Sequence, residues 1–598
     1  MSHRHGDWLF RGGLVAICLV LYLAGTQGQS VFDRDEARFA LAVKEMSAAG
    51  NWLVPSNWGE PRYNKPILCY WLALASTRVF GMGEAALRLP SALCCVLTVL
   101  VTMSLAQRLR GRRAARIAGC AVATALYVVI EARSLTADAS LLAATTLSFW
   151  AWFCLRELPA RPGRWRLVLW TSVGLGLLAK VVNVAFMACA GCALSLLEGS
   201  WSRRARLTLA AAVALGALAT AIPGCGVLGP VVLGAIVLAS LVRSVHSPTS
   251  RREWQQLGAF WGIPLALAML LAWGVPAALA TQGGFVSQGV GHHLLGRTAV
   301  PFEGHSGWPG YYVVTTLVAF FPWGPLLPAA LRNAWAQRQD PGVRFLLAWV
   351  LGALVLVELT TSKLPHYMLV TFPALAILVA MLIEARIAGV RQWTRAERAF
   401  EAGMFVFGCG AAAAIGAYAA WTFDAAAIRL PAVALSAVSV TIGAAGLYVW
   451  VGSRRSSVAP FLTVSAVALF VVLFAIFVPA LEPLRLSPRL GEAVARRLEP
   501  GERLVLYKVG EASVGFYLPR LPDAMGDPTS VAAALRSEPH GALVIMPDDH
   551  DRSLARLQAG DGAVWEKLEL VHGVILPSLS ERRILIARRQ PGAPTPDR

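Results

Sequence analysis

The run APFLTVSAVALFVVLFAIFVPA, residues 459–480, contains no charged side chain and is long enough to cross a bilayer as a single helix. A span needs about 20 apolar residues, and the same test elsewhere marks residues near 10–27, 87–107, 115–132, 139–156, 165–180, 183–198, 207–223, 226–243, 257–279, 311–330, 343–361, 367–385, 402–421 and 431–451. Together these make about fifteen candidate spans. The regions 165–198 and 207–243 each read either as a hairpin of short spans or as one long kinked element, because Pro223, Gly224 and Gly226 interrupt the second. Composition agrees. The chain has 598 residues, 56% of them apolar and 15% charged, whereas soluble domains carry about a quarter charged residues. The expected class is an α-helical polytopic membrane protein.

The formal net charge of +19 would point to nucleic acid in a soluble protein. Here the basic residues sit in short clusters between apolar runs: Arg108–Arg116, Arg161–Arg166, Arg203–Arg206, Arg243–Arg252 and Arg454–Arg455. That is the positive-inside bias, and no nucleic-acid partner is expected. With a cytoplasmic N-terminus all five clusters fall inside, and the loops 28–83, 133–138, 280–310 and 362–366 fall outside. The first apolar run, Leu14–Ala24, follows Arg4 and Arg11 but is not followed by a small-residue cleavage site. It is expected to stay as the first span. All ten cysteines lie in apolar stretches without metal-ligand spacing, and they read as small buried hydrophobes.

Past residue 482 the pattern changes. Arg503–Tyr507, Ala542–Met546 and Arg583–Ala587 read as strands, with helical periodicity near Leu490–Leu498 and Val531–Arg536. The expected division is a membrane domain over 1–482 and a small soluble α/β domain over 483–598 on the outer face.

The polar residues gather in the outer loops. Asp35 and Arg38 are three apart at the start of a stretch that places Phe39, Val43 and Met46 on one helical face, a pattern suited to a helix lying along the membrane surface. Asp35 and Glu36 read as caps of that helix, or Asp35 reads as a carboxylate paired with a guanidinium in a pocket; one group can serve both roles. Lys65 lies between a turn and Ile67–Phe80, an apolar stretch too short to span comfortably. It reads as a snorkelling lysine or as a phosphate ligand. Glu358, near the outer end of its span, is an intramembrane acid of the kind that marks a site.

The motifs run in a specific order: Asp35-Glu36-Ala37-Arg38-Phe39-Ala40, Glu45-Met46, Asn51-Trp52, Gly59-Glu60-Pro61, Lys65-Pro66, Tyr70-Trp71-Leu72, and Arg88-Leu89-Pro90-Ser91-Ala92. Further on come Thr136-Ala137-Asp138, His292-His293-Leu294-Leu295-Gly296-Arg297, Glu303-Gly304-His305, Phe321-Pro322-Trp323 and Lys363-Leu364-Pro365-His366-Tyr367. This ordered set, between about residues 30 and 375, resembles the bacterial aminoarabinose transferase family and its relatives, the polyprenyl-phosphate-mannose protein mannosyltransferases.

The resemblance implies the C-type glycosyltransferase fold, with interfacial helices in the first outer loop and a small extracytoplasmic C-terminal domain, in a bacterial cytoplasmic membrane. It implies transfer of a sugar from a polyprenyl (undecaprenyl) phosphate carrier to an envelope lipid, lipid A-like, or to a glycan. Asp35 stands at the position of the essential first-loop carboxylate and Asp138 at a second acidic position. Arg38, Lys65, Arg297 and Tyr367 match residues that hold the carrier phosphate, with Lys363 a further cation.

Two departures stand out. Where the family commonly has an acid before the lysine of the Lys-Pro pair, this chain has Asn64. In some members that acid contributes to a metal site with a histidine matching His292 or His293. No cofactor is firmly expected, and a divalent metal is weakened by Asn64, which offers only a carbonyl. The other departure is Ala179-Lys180-Val181-Val182-Asn183, where the family usually has a Lys-Gly-Pro turn.

Two further activities compete with this reading. One is a protein O-mannosyltransferase-like reaction. The other is transport of lipid-linked sugars, which should concentrate ionisable or helix-breaking features at mid-membrane in related halves; this chain shows no such repeat.

Overall fold

A computed structural model of the chain describes residues 2–32, 35–157, 162–199, 201–220, 222, 227–246, 248–289, 306–452, 455–536, 541–549, 552–561, 564–575 and 580–590. It divides into two compact units. One gathers Met1–Ala24, Tyr63–Leu72 and Arg88–Phe477; the other gathers Gly25–Arg62, Ala73–Leu87 and Val478–Arg598.

Among the described residues, nine helices are long and apolar enough to cross a membrane: Gly6–Leu23, Glu84–Arg110, Ala137–Glu157, Ala259–Ala280, Pro341–Glu358, Pro365–Ile387, Arg395–Thr422, Ala426–Val451 and Val458–Leu484. A tenth arises if Arg112–Ala123 and Leu126–Ala132, which meet at 60°, count as one bent span. The remaining expected spans have other forms. The regions near 165–198 and 207–243 make helices of 18, 15, 17 and 19 residues. At 1.5 Å per residue the shortest reaches only about 22 Å, less than a hydrocarbon core. The stretch 311–330 is broken. Tyr311–Ala319 ends before Pro322, which has no amide to donate, and the chain turns through a short 3-10 helix, Gly324–Leu326, into the α-helix Leu327–Ala336. Gly324 permits that break, since a Cβ there would run into the Leu317 carbonyl.

Small residues and aromatic stacking close the first unit. Gly352 lets Pro341–Glu358 meet the backbone of Asn183–Leu197 at Ala190. Phe149 and Trp349 stack with centroids 4.0 Å apart and planes at 4°. A buried ionic knot holds further helices. The Arg386 guanidinium donates to both Glu401 oxygens, at 3.0 and 2.7 Å, and the Trp393 and Trp450 indole N–H groups donate to the same carboxylate at 2.9 and 3.1 Å.

The second unit is built on a five-stranded sheet. Its strands are β3 Arg503–Tyr507, β4 Asp523–Met525, β5 Ala542–Pro547, β6 Trp565–Ile575 and β7 Ser580–Arg589 (β1 and β2 form a hairpin described below), in the order β4-β3-β5-β7-β6. β3 runs parallel to β4 and β5, while β7 is antiparallel to β5 and β6. Leu504, Leu506, Leu543, Ile545 and Ile586 point to one core and Val505, Tyr507, Val544 and Met546 to another, as alternation along two-sided strands requires.

The first-loop helix, Asp35–Ala49, belongs to this unit. Phe39, Val43 and Met46 are buried as the expected apolar face, but Ala37, Ala40, Leu41 and Ala42 are fully buried as well. The extra burial comes from packing against Ala512–Tyr517 of the C-terminal region, where Gly515 lies under Leu41 and Trp58. The apolar stretch after Lys65 forms Leu68–Phe80, 13 residues long.

Candidate active site

Asp138 sits in the first turn of Ala137–Glu157. Its Oδ1 accepts from Lys180 Nζ at 2.5 Å, and both side chains are nearly buried, at 14% and 12% exposure. Lys180 follows the last residue of the helix Pro162–Ala179, just before the chain re-enters a helix at Asn183. Asn183 fixes this corner. Its amide oxygen accepts from Thr145 two turns further along the Asp138 helix, at 2.8 Å, and Gly176 leaves room for its side chain. The residues that replace a Lys-Gly-Pro turn therefore keep the lysine aimed at the acid.

Other basic groups converge on the same carboxylate. His366 Nε2 lies 3.9 Å from Asp138 Oδ2, and Lys65 is near enough for its charge to act on Asp138. Tyr367 stands beside them. The Lys180 ammonium lies 6.0 Å from the centre of its ring, and that ring stacks on Tyr312 at 6.4 Å. Two ammonium groups and an imidazole thus gather around a nearly buried acid, with the Glu131 carboxylate also close enough for its charge to act on Lys180. Ammonium groups held in this way can answer a phosphate group.

Lys363 is occupied differently. Its ammonium is fully buried and donates to Glu358 Oε2 at 2.8 Å and to the Glu358 carbonyl at 3.1 Å, 5.3 Å from the Tyr312 ring centre. Glu358 also accepts from the Tyr312 amide at 3.3 Å, and the Tyr312 hydroxyl accepts from the Leu364 amide at 3.3 Å. The pair braces the Tyr312–Tyr367 stack, and the Lys363 charge is answered within the protein.

In the second unit the two adjacent acids of the first loop part company. Glu36 is 4% exposed and accepts from the Phe32 amide at 2.6 Å, closing the helix entry. Asp35 opens the same helix with its side chain 73% exposed, 3.7 Å from Arg38, itself 38% exposed. The capping role thus falls to Glu36. The Asp35 carboxylate faces outward, in a loose ion pair of the kind that contributes little to stability.

Arg297, His292 and His293 lie outside the described residues, as do Glu303 and His305. Among the described residues no group of three or more His, Cys, Asp or Glu side chains is placed to hold a metal ion. The sequence pattern does not single out Lys180 as the partner of Asp138, nor His366 as its neighbour. The available signal was a lysine terminating an apolar helix, where an unpaired ammonium would be costly.

The fold is the C-type glycosyltransferase fold, and in sequence the chain resembles the aminoarabinose transferases. The crystal structure of ArnT from Cupriavidus metallidurans bound to undecaprenyl phosphate superposes with a TM-score of 0.69 at 19% identity, covering 96% of this chain and 97% of that one. Its apo form gives 0.70 at 19%, covering 98% of each chain. In sequence, residues 64–226 match the family model for dolichyl-phosphate-mannose-protein mannosyltransferase. The chain is similar to the undecaprenyl phosphate-alpha-4-amino-4-deoxy-L-arabinose arabinosyl transferase of Pseudomonas paraeruginosa, 27% identical over 377 residues, 62% of this chain and 58% of that one. A relative bearing the same name with the number 2, from Sodalis glossinidius, is 28% identical over 379 residues with the same coverage. The match thus spans 58% of the length of either relative.

Proposed function

We propose that the chain transfers a sugar from a polyprenyl-phosphate carrier, undecaprenyl phosphate by the names of its relatives, to a lipid A-like envelope lipid or an envelope glycan. The observation that supports the reading is the convergence of Lys180, Lys65 and His366 on Asp138 with Tyr367 alongside, a cluster of basic groups around one acid in a membrane protein. Its membrane is the bacterial cytoplasmic membrane, with the N-terminus cytoplasmic and the domain over 483–598 extracytoplasmic. The basic clusters between apolar runs support that orientation.

In this reaction the bond between the anomeric carbon and the carrier phosphate oxygen breaks, and a bond from an acceptor oxygen to the same carbon forms. Polyprenyl phosphate leaves with an added negative charge, which fixed cations stabilise. Lys65 supplies one cation, and the resemblance adds Arg38 and Arg297 with Tyr367 as a hydroxyl ligand. Lys363 braces that tyrosine through Tyr312. Asp138, whose near oxygen already accepts from Lys180, arranges the cations. Asp35, exposed and loosely paired, takes the proton of an acceptor hydroxyl, or orients an acceptor that is already ionised.

A protein acceptor is the second reading, favoured by the description of the family model that matches residues 64–226. Mass spectrometry of envelope lipids and glycoproteins separates the two, comparing cells that make the native chain, none, or Asp35→Asn. A modified lipid that disappears with Asp35→Asn upholds the first reading. A lost glycoprotein replaces it with the second, and full activity of Asp35→Asn removes that aspartate from the mechanism.

A further inference from the structure

The second unit ties the Asp35 helix to the C-terminal region through several independent contacts. Lys44, on that helix, donates to the carbonyls of Gly515, Phe516 and Leu518 at 3.2, 2.8 and 2.6 Å, the open end of the short helix Ala512–Tyr517. Gly515 lies against the helix itself: a Cβ there would stand 2.6 Å from Trp58 Cη2 and 3.1 Å from Leu41 Cδ1. Just before Asp35, the backbone is gripped from the same side. Arg485, 2% exposed, donates to the Ser30 and Val31 carbonyls at 2.9 and 2.6 Å, and the Val31 amide donates to the Tyr517 hydroxyl at 2.8 Å. That hydroxyl in turn donates to Glu84 at 2.8 Å.

A hairpin completes the hold. Strands β1 Ser56–Asn57 and β2 Glu60–Pro61 are joined by Trp58 and Gly59, both with positive φ, at 59° and 78°. That is the type I′ geometry, disfavoured for tryptophan. Glu45, from the Asp35 helix, accepts from both turn amides at 2.6 and 3.2 Å and from Ser56 Oγ at 2.6 Å. The turn presents the Trp58 ring to the core formed by Leu486, Leu490, Val514 and their neighbours.

We infer that the C-terminal domain is a positioning clamp for the first-loop carboxylate, with Lys44, Gly515 and Arg485 acting through the Asp35 helix and touching no substrate. The inference rests on the proposed role of Asp35. A clamp of this kind sets the rate of transfer and leaves carrier binding alone, because a misplacement of about 1 Å in a reacting group can cost up to about a hundredfold in rate.

The test uses the full chain in membranes of the producing strain. It measures the initial rate of sugar transfer by mass spectrometry, undecaprenyl phosphate affinity by tryptophan quenching of the purified chain, and backbone hydrogen exchange over residues 35–49. Lys44→Met and Gly515→Ala should each slow transfer by about tenfold, raise exchange over 35–49 and leave carrier affinity within about twofold. Gly515→Ala combined with Trp58→Phe, which shortens the opposing ring, should recover most of the rate. If Gly515→Ala fails to fold, Lys44→Met alone carries the test. Native rates in both clamp variants while Asp35→Asn is inactive would overturn the clamp and leave the transferase reading standing. An active Asp35→Asn overturns the role of Asp35 itself, whatever the clamp variants do.

Discussion

The span-rich unit and the first loop hold most of their buried charges in different ways. In the unit of spans the acids meet cations: Asp138 with Lys180, Glu358 with Lys363, Glu401 with Arg386. In the unit around the sheet, the buried or half-buried charges of the first loop and its partners hold backbone: Lys44 on three carbonyls, Arg485 on two, Glu45 on two amides and Glu36 on one, while Glu502 pairs with Arg588. Among the described residues of the first unit, Arg133 departs from this, holding the Leu21, Ala24 and Phe474 carbonyls, and Glu131 accepts from the Thr136 hydroxyl. The difference follows from the solvent each sequence is built for. Apolar spans offer neither water nor free backbone, so an ion must bring its counter-ion. A loop of irregular backbone carries many unpaired amides and carbonyls, and single ions can order it. One arrangement stores stability in pairs; the other fixes the position of one exposed acid, Asp35.

Substitutions at the two aspartates probe that difference most sharply. Asp35→Asn should lower transfer by about 10³-fold, the middle of the range for general acid–base groups, with no change in thermal unfolding of the purified chain. Asp138→Asn should instead destabilise by about 3–5 kcal/mol, because it strands the Lys180 ammonium in a buried place. Adding Lys180→Met should recover most of that stability without restoring transfer. If Asp138→Asn melts like the native chain while Asp35→Asn does not, the contrast is reversed and the roles assigned to the units fail.

A smaller effect is expected at the carrier. Lys65→Ala removes one cation from the Asp138 cluster without breaking its principal pair, so undecaprenyl phosphate should bind about tenfold more weakly, as one charge-assisted contact implies. Titration of the purified variant measures this. Unchanged affinity would return Lys65 to a snorkelling role.

How far the sequence anticipates all this depends on the range of the interactions. The longest apolar runs and the strands β3, β5 and β7 are local patterns and appear where the sequence places them, while the weaker runs near 165–243 and 311–330 form shorter or broken helices. β4, three residues long, and β6, whose outer face is polar, carry too weak an alternation to be read. The Asp138–Lys180 pair joins residues 42 apart, and the Lys44 grip joins residues 471 to 474 apart. Neither separation leaves a periodic trace. The division of labour between Asp35 and Glu36 is also invisible in the sequence, since either acid could cap the helix; only the path of the chain back to Phe32 selects Glu36. The ordered motifs named the acids and the lysine before the tertiary fold was known, but they could not say which charges are already answered inside the protein.

The smallest expected effect tests the second unit from its own electrostatics. Burial lowers the Lys44 pKa from the ordinary 10.5 to about 8, against the opposing pull of Glu45 beside it. The folded chain therefore releases this proton at a pH where the unfolded chain still binds it. Between about pH 8 and 10.5 the unfolded state carries more protons, so stability from this group rises with pH across that window. Below it, Lys44 is charged in both states and the cost of burying the ammonium is fully present. Unfolding of the native chain and of Lys44→Met, followed from pH 7 to 10, should differ in slope: the native chain gains stability relative to the variant as pH rises. Parallel curves would mean that the three carbonyls hold the ammonium as well as water does, and Lys44 would then resemble the fully compensated charges of the spans.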